Sequence, residues 1–129
     1  MNTLALYTRA SNEDENLGES ATIQNQRDLL YHYIRSKQEF KDWNVLEFQD
    51  DGWSGTTFDR PGIGKLLKLA GKEVQCIIVK DFSRFGRNLI EVGNYLDQIF
   101  PFLGVRFIAV NEGYDSNDNA GRTIGLDVS

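Results

Sequence analysis

The segment at residues 74–79 limits the possible folds of this chain more than any other stretch. It is nearly all apolar and rich in β-branched residues, and Cys76 is followed directly by Ile77, Ile78 and Val79. A continuous apolar run of this length, without alternating polar residues, is typical of a strand that is covered on both faces. Such strands occur in parallel sheets that lie between layers of helices, so the run predicts an α/β domain.

The rest of the chain alternates strand-like and helix-like segments. Strands are predicted at residues 3–7, 43–49, 74–79 and 105–110, and helices at residues 22–36, 61–70 and 88–100. Apolar residues recur at helical spacing in the predicted helices, and Pro101 is predicted to end the last one. The alternation predicts a three-layer α/β fold, with a mainly parallel sheet of four to five strands and helices on both faces.

The remaining segments are polar and rich in turn formers. Residues 11–20 and 52–60 are predicted to be loops, and residues 111–119 are predicted to contain turns. Residues 120–129 are compatible with the start of another helix. No repeat, linker or low-complexity segment divides the chain, so the sequence indicates one domain.

Composition narrows the functional classes. The 129 residues, 40% hydrophobic and 26% charged, suit one globular domain, and no apolar run approaches the roughly 20 residues that span a bilayer. We therefore expect no membrane partner and a cytoplasmic location. The lone cysteine, Cys76, rules out an internal disulfide and a cysteine-rich metal site. The net charge of -5 argues against strong nonspecific DNA binding by this domain alone.

Unusual polar residues follow the predicted strands. Arg9 and Ser11 come after the first strand; the later strands are followed by Asp50, Asp51, Ser54 and Arg60, and by Asp81, Ser83, Arg84 and Arg87. Because ligands of open α/β sheets bind beyond the carboxyl ends of the strands, these side chains are expected to converge at one edge. Gln26 lies on the apolar stripe of the first helix, where a polar side chain needs a partner.

Several chemistries lack their sequence signatures. The chain has no phosphate-binding loop of the Gly-x-x-x-x-Gly-Lys type, no Gly-x-Gly-x-x-Gly motif and no cluster with metal-ligand spacing. Its only histidine, His32, falls in mid-helix, which does not suit a Ser-His-Asp triad. The alternatives left open are a non-catalytic flavodoxin-like module that binds a phosphate or nucleotide, and a receiver-like signalling domain that accepts a phosphoryl group on Asp51.

Four segments together resemble the resolvase/invertase family of serine recombinases, in order and with compatible spacing. Residues 7–11 resemble the family's Tyr-x-Arg-x-Ser motif, and residues 22–27 its first helix, where Gln26 matches an active-site glutamine. Residues 51–60 resemble the Asp-x-x-Ser-Gly…Arg block, and residues 83–88 the Asp-Arg-Leu-x-Arg block. The amino-acid sequences of the last two segments are most similar to those of the large serine recombinases of mobile elements, of the transposase and integrase type.

The resemblance implies site-specific DNA recombination without ATP, cofactor or metal. Ser11 would attack a DNA phosphodiester to form a 5′-phosphoserine link, which strand exchange and religation would follow. The site residues that the resemblance implies are Ser11, Arg9, Arg84, Arg87, Arg60, Asp51, Gln26, Ser54 and Ser83. The implied partners are DNA recombination sites and further copies of the chain, as a dimer to tetramer in the full-length enzyme.

The resemblance also bears on domain organisation and on one departure from the motif. Residues 1–129 are expected to be the N-terminal catalytic domain, and the C-terminal oligomerisation helix and DNA-binding domains of the family are not seen in this chain. The family often has aspartate where this chain has Ser83. Either Ser83 itself or the nearby Asp81 is expected to take the place of that aspartate.

Overall fold

The computed structural model describes residues 2–11 and 22–118. The loop predicted after Ser11 and the helix considered for residues 120–129 therefore lie outside the described residues. The strands are β1 (Thr3–Ala10), β2 (Asn44–Asp51), β3 (Cys76–Val79), β4 (Arg106–Ala109) and β5 (Tyr114–Asp115). The helices are α1 (Ile23–Arg35), α2 (Pro61–Leu69), α3 (Phe82–Phe85), α4 (Leu89–Asn94) and α5 (Phe100–Leu103), with a short 3₁₀ turn at Gln38–Phe40.

The strands form a five-stranded sheet in the order β2-β1-β3-β4-β5. The first four strands are parallel, and β5 runs antiparallel to β4. This arrangement confirms the predicted α/β fold with a mainly parallel sheet. None of the helices within the described ranges combines the length and the apolar character that crossing a bilayer requires.

Alternate residues of β1 belong to two separate hydrophobic cores. Leu4 and Leu6 pack with Leu30 of α1 on one face of the sheet. Ala5 and Tyr7 belong to the core that includes α2 and α4 on the other face. Because β1 is buried on both faces, its side chains of either parity point into packed helices, as predicted for a three-layer domain.

The structure differs from the sequence prediction in three places. The short helix α3 and the strand β5 were not predicted, because each is too short to show a hydrophobic period. The prediction that Pro101 ends the last helix is wrong. A π-helical turn at Tyr95–Ile99 leads into α5, Pro101 lies in the first turn of α5, and Gly104 ends the helix with a φ of 73°. The wider turn explains how the chain accommodates a residue that lacks an N–H group.

The end of β1 occupies the point where the strand order reverses. β1 pairs with β2 as far as Ala10 and Asp51, but it pairs with β3 only as far as Tyr7 and Val79. The last residues of β1 therefore extend beyond β3. In open α/β sheets, such a switch point at the carboxyl ends of the strands is where ligands bind.

Candidate functional site

The main chain of Arg9 is fixed by Gln26 beyond the end of the β1–β3 ladder. The Arg9 N–H donates to Gln26 Oε1 at 3.1 Å, and Gln26 Nε2 donates to the Arg9 carbonyl at 2.9 Å. The glutamine side chain is fully buried and takes the place of a neighbouring strand. This pairing explains why a polar residue occupies the inward stripe of α1. Ser11 follows two residues later and is itself buried, with 6% of its surface exposed.

The side chain of Arg9 links β1 to two other segments, namely α3 and the loop after β2. Its Nη2 donates to the Ser83 carbonyl at 2.7 Å, its Nε to the Arg84 carbonyl at 3.2 Å, and its Nη1 to the Trp53 carbonyl at 3.1 Å. In return, Arg84 Nη1 donates to the Arg9 carbonyl at 3.2 Å. Both arginines are buried. The two side chains therefore connect the end of β1 to α3 in both directions.

Asp81 organises the start of α3. Its Oδ1 accepts from the Arg84 N–H at 3.1 Å and from the Ser83 hydroxyl at 2.7 Å, and it lies 3.9 Å from Arg84 Nε. The carboxylate thus caps the helix and holds the hydroxyl that stands at the position of the family's aspartate. Asp81 and Ser83 therefore form one hydrogen-bonded pair.

The loop after β2 packs against Arg9 and Arg87. The Gly55 carbonyl accepts from the Arg87 N–H at 2.7 Å. A Cβ at position 55 would lie 2.8 Å from Arg9 Nη2 and 3.1 Å from Arg87 Cγ, so only glycine permits this approach. The Arg87 residue is exposed, unlike Arg9 and Arg84. It is therefore a cation held at its backbone and open to solvent at the edge of the site.

Arg60 anchors the far end of the same loop through neutral oxygen atoms. Its Nε donates to the Thr57 carbonyl at 2.8 Å, its Nη2 to the Phe85 carbonyl at 2.5 Å, and its Nη1 to the Tyr7 hydroxyl at 2.6 Å. The guanidinium also stacks on the rings of Tyr7 and Phe58, 5.7 and 5.1 Å from their centroids. Arg60 is 3% exposed, so these contacts hold a cation inside the domain.

Asp50 receives the other end of this chain of hydrogen bonds. Its Oδ2 accepts from the Tyr7 hydroxyl at 2.6 Å and from the Ile63 N–H at 2.9 Å, and its Oδ1 accepts from the Gly62 N–H at 2.6 Å. Burial raises the pKa of Tyr7 far above its usual value, and the hydrogen bond to Asp50 acts in the same direction. The hydroxyl therefore stays protonated and serves as a donor.

The sequence indicated both aspartates after the second strand, but only Asp51 was assigned a role in the site. The strand β2 turns Asp50 inward, where it is 2% exposed, and leaves Asp51 exposed. The signal that would have found Asp50 is the period of two that places it on the same face as the half-buried Phe48.

The structure connects some of the predicted site residues by direct contacts. Gln26, Arg9, Ser83 and Arg84 form one hydrogen-bonded group, Arg87 joins it through Gly55, and Arg60 joins it through the Phe85 carbonyl. Ser54 is exposed, and its hydroxyl donates to Thr56 Oγ1 at 3.1 Å. Within residues 2–11 and 22–118, no group of three or more His, Cys, Asp and Glu side chains is placed to hold a metal ion.

A family model and several solved structures match the chain. The model described as "Resolvase, N terminal domain" matches residues 4–125. No curated protein matches the sequence.

Among solved structures, the N-terminal catalytic domain of TP901-1 integrase has a similar fold, with a TM-score of 0.75, 24% identity and coverage of 90% of this chain and 82% of that one. A resolvase family site-specific recombinase from Streptococcus pneumoniae matches with a TM-score of 0.68 and 25% identity, over 93% and 79% of the two chains. The C-terminal catalytic domain of ISC1926 TnpA, an IS607-like serine recombinase, matches with a TM-score of 0.64 and 26% identity, over 84% and 69%.

Proposed function

The chain belongs to the resolvase family of serine recombinases, and from this premise we propose that it breaks and rejoins DNA at specific sites with Ser11 as the nucleophile. The observation that carries the proposal is the position of Ser11. It leaves β1 at the switch point of the sheet, two residues after Arg9, whose main chain is held by Gln26 and Arg84. The nucleophile is thereby tied to the segment that carries Arg84 and Arg87.

The proposed reaction conserves the energy of the broken bond. The Ser11 oxygen attacks a DNA phosphorus atom, a Ser11–phosphate ester forms on the 5′ side, and the 3′ oxygen leaves as a hydroxyl after taking up a proton. Rejoining is the reverse attack, by a 3′ hydroxyl on the phosphoserine, and it releases Ser11. Because one ester replaces another in each step, neither ATP nor another energy source is needed.

The arginines divide into two proposed roles. Arg87 is exposed and held by its main chain, which suits direct contact with the phosphate oxygens. One preorganised donor of this kind contributes about 2.7–4 kcal/mol to stabilising a transition state. Arg84 precedes Arg87 by three residues in the same segment. For Arg9 and Arg60, whose guanidinium groups bind carbonyl oxygens, the geometry supports a role in holding the site together.

The remaining predicted residues act around this core in the proposal. Gln26 fixes the strand that carries Ser11, and the Asp81–Ser83 pair orients α3 and offers a hydroxyl at the position of the family's aspartate. Asp51, the last residue of β2, and Ser54, in the loop that follows, are both exposed, so they are available to DNA or to a second subunit. Because Ser11 is 6% exposed, the proposal requires a rearrangement that uncovers its hydroxyl when DNA and subunits assemble.

The same proposal covers partners and domain organisation. We propose that residues 1–129 act as the catalytic domain of a recombinase that works on DNA as a dimer to tetramer. We also propose a cytoplasmic location and a part in the transposition or integration of a mobile element. The acidic domain then relies on other parts of the enzyme for most of its DNA affinity.

Replacing Ser11 tests the proposed nucleophile. In the full-length recombinase, Ser11→Ala is expected to abolish the covalent protein–DNA adduct, because no other oxygen replaces the attacking atom. The adduct is measured on a denaturing gel after incubation with recombination-site DNA, and mass spectrometry of the linked peptide locates the attachment. Ser36→Ala is the matched control, because the Ser36 hydroxyl donates to the Tyr33 carbonyl at the end of α1.

The outcomes separate the competing functions. Adduct formation by Ser11→Ala would refute the proposal. A receiver-like domain would instead show magnesium-dependent labelling of Asp51 by a small phosphodonor, and a flavodoxin-like module would bind a nucleotide without any adduct. The family model that matches residues 4–125 favours neither alternative.

A further inference from the structure

A buried chain of hydrogen-bonded side chains closes the base of the loop at residues 52–59, which follows β2. Asp50 precedes the loop, Arg60 follows it, and the Tyr7 hydroxyl lies between them, donating to Asp50 and accepting from Arg60. The three residues are at most 3% exposed. The two ends of the loop are therefore held together by a carboxylate and a guanidinium group, which the Tyr7 hydroxyl bridges by hydrogen bonds.

The partners of Asp50 require a carboxylate at this position. Tyr7 and the N–H groups of Gly62 and Ile63 all donate to it. An asparagine of the same shape has one accepting oxygen and one NH₂ group, so either orientation of its amide sets a donor against a donor. Gly62 belongs to the same arrangement, because a Cβ there would lie 2.8 Å from Asp50 Oδ1.

The other end of this chain reaches the proposed phosphate-binding segment. Arg60 Nη2 donates to the carbonyl of Phe85, which lies in sequence between Arg84 and Arg87. Two residues after Phe85, the Arg87 N–H donates to the Gly55 carbonyl of the loop. A displacement of Arg60 is therefore expected to move the backbone at Phe85 through the first hydrogen bond. The second hydrogen bond couples the loop at Gly55 to the backbone at Arg87.

We propose that Asp50 is a positioning residue for DNA cleavage, which fixes Arg60 through the Tyr7 hydroxyl and so holds the backbone between Phe85 and Arg87 in the reactive geometry. This inference rests on the proposed function. It gives β2, the strand that leads into the loop, a part in the reaction. Asp50 itself does not contact the DNA in this proposal. A displacement of about 1 Å in a positioned group is enough to slow a reaction about 100-fold.

The first test measures cleavage in the full-length recombinase under single-turnover conditions with saturating recombination-site DNA. Asp50→Asn and Tyr7→Phe are each expected to lower the cleavage rate about 10- to 100-fold, with DNA affinity unchanged. Tyr7→Phe keeps the ring and leaves the contacts of Asp50 with α2 intact. It removes the hydroxyl, and with it the two hydrogen bonds that link Asp50 to Arg60. Glu47→Gln is the matched control, because Glu47 lies on the same strand and also binds a tyrosine hydroxyl and an arginine, in an exposed trio with Tyr31 and Arg27.

The second test measures amide hydrogen exchange in the same proteins without DNA. If Asp50 positions the loop, both variants raise exchange at the Arg87 amide and across residues 52–60, while β1, β3 and α1 keep their protection. This readout does not depend on Ser11, so it stands even if the wild-type enzyme forms no adduct and the proposed function fails. A wild-type cleavage rate in both variants would overturn the inference, as would exchange that rises uniformly across the sheet.

Discussion

Arg60 and Arg106 lie at opposite ends of the sheet and hold their charges in different surroundings. Both stack on aromatic rings, and both have most of their surface buried. Arg106, at the start of β4, binds two carboxylates, with Nη1 2.6 Å from Glu39 and Nη2 2.6 Å from Asp115. Arg60, beyond the carboxyl ends of the strands, donates to two carbonyls and a hydroxyl, and it reaches Asp50 only through Tyr7.

The two arginines differ in whether a carboxylate contacts the guanidinium group directly. Around Arg106, two carboxylates in direct contact cancel the positive charge, and their hydrogen bonds raise the pKa of this arginine further. Around Arg60, carbonyl and hydroxyl dipoles satisfy the guanidinium without cancelling its charge by direct contact.

The largest difference between the two sites is expected from Arg60→Met compared with Arg106→Met. Arg60→Met leaves the Thr57 and Phe85 carbonyls without their donor and Asp50 without its counter-charge. We expect the free energy of unfolding to fall by about 3 kcal/mol, and cleavage by the folded protein to fall at least about 100-fold. Urea unfolding and single-turnover cleavage measure the two effects.

Arg60→Lys sharpens this result. Lysine keeps the charge, but a single ammonium cannot reach the Thr57 carbonyl, the Tyr7 hydroxyl and the Phe85 carbonyl together. Cleavage that stays low in Arg60→Lys assigns the effect to geometry, whereas full cleavage by this variant would show that charge alone suffices.

A smaller effect, confined to stability, is expected from Arg106→Met. We expect the free energy of unfolding to fall by about 1–2 kcal/mol at neutral pH, with cleavage by the folded protein unchanged. Burial works in the opposite direction, but the hydrogen bonds from Arg106 hold the pKa of Asp115 below its usual range. Separate hydrogen bonds from Arg106 to Glu39 lower the pKa of Glu39 as well.

The pH dependence of that loss follows from these two shifts. A carboxyl group whose pKa is lowered by folding stabilises the protein above its unfolded pKa of about 4, and this contribution is lost as the pH falls through the folded pKa. The stability difference between wild type and Arg106→Met should therefore be full at neutral pH and shrink in acid. A difference that stays constant down to pH about 2 would contradict this account.

The smallest effect is expected from Glu39→Gln. The Glu39 side chain is 53% exposed, so solvent screens its attraction to Arg106. We expect a loss of less than about 0.5 kcal/mol in unfolding free energy, and less still in high salt. Urea unfolding at two salt concentrations measures it, and a loss as large as that of Arg106→Met would mean that Asp115 contributes little.

The sequence predicted the architecture better than the details of the site. The apolar run at residues 74–79 and the alternation of elements led directly to the parallel sheet, because these signals arise from burial, which the whole fold shares. Gln26 was also identified as a polar residue on an inward stripe, and the structure shows its partner in the main chain of Arg9.

Other features depend on contacts that no local pattern records. The helical continuation past Pro101 depends on a π-helical turn that has no sequence period. The roles of Arg9, Arg60 and Arg84 could not be separated from the sequence, because the oxygen atoms that receive Arg9 and Arg60 are mostly main-chain atoms contributed by distant segments.

The hydrogen bonds of Arg9 have a consequence for directed evolution of this domain. Trp53, Ser83 and Arg84 offer it carbonyl oxygens, which every amino acid supplies. Randomising the side chains at 53 and 83 therefore leaves these acceptors in place, and libraries at those two positions can change the side chains at this edge while the hydrogen bonds of Arg9 persist. Position 9 has no such freedom, because one guanidinium must reach all three acceptors.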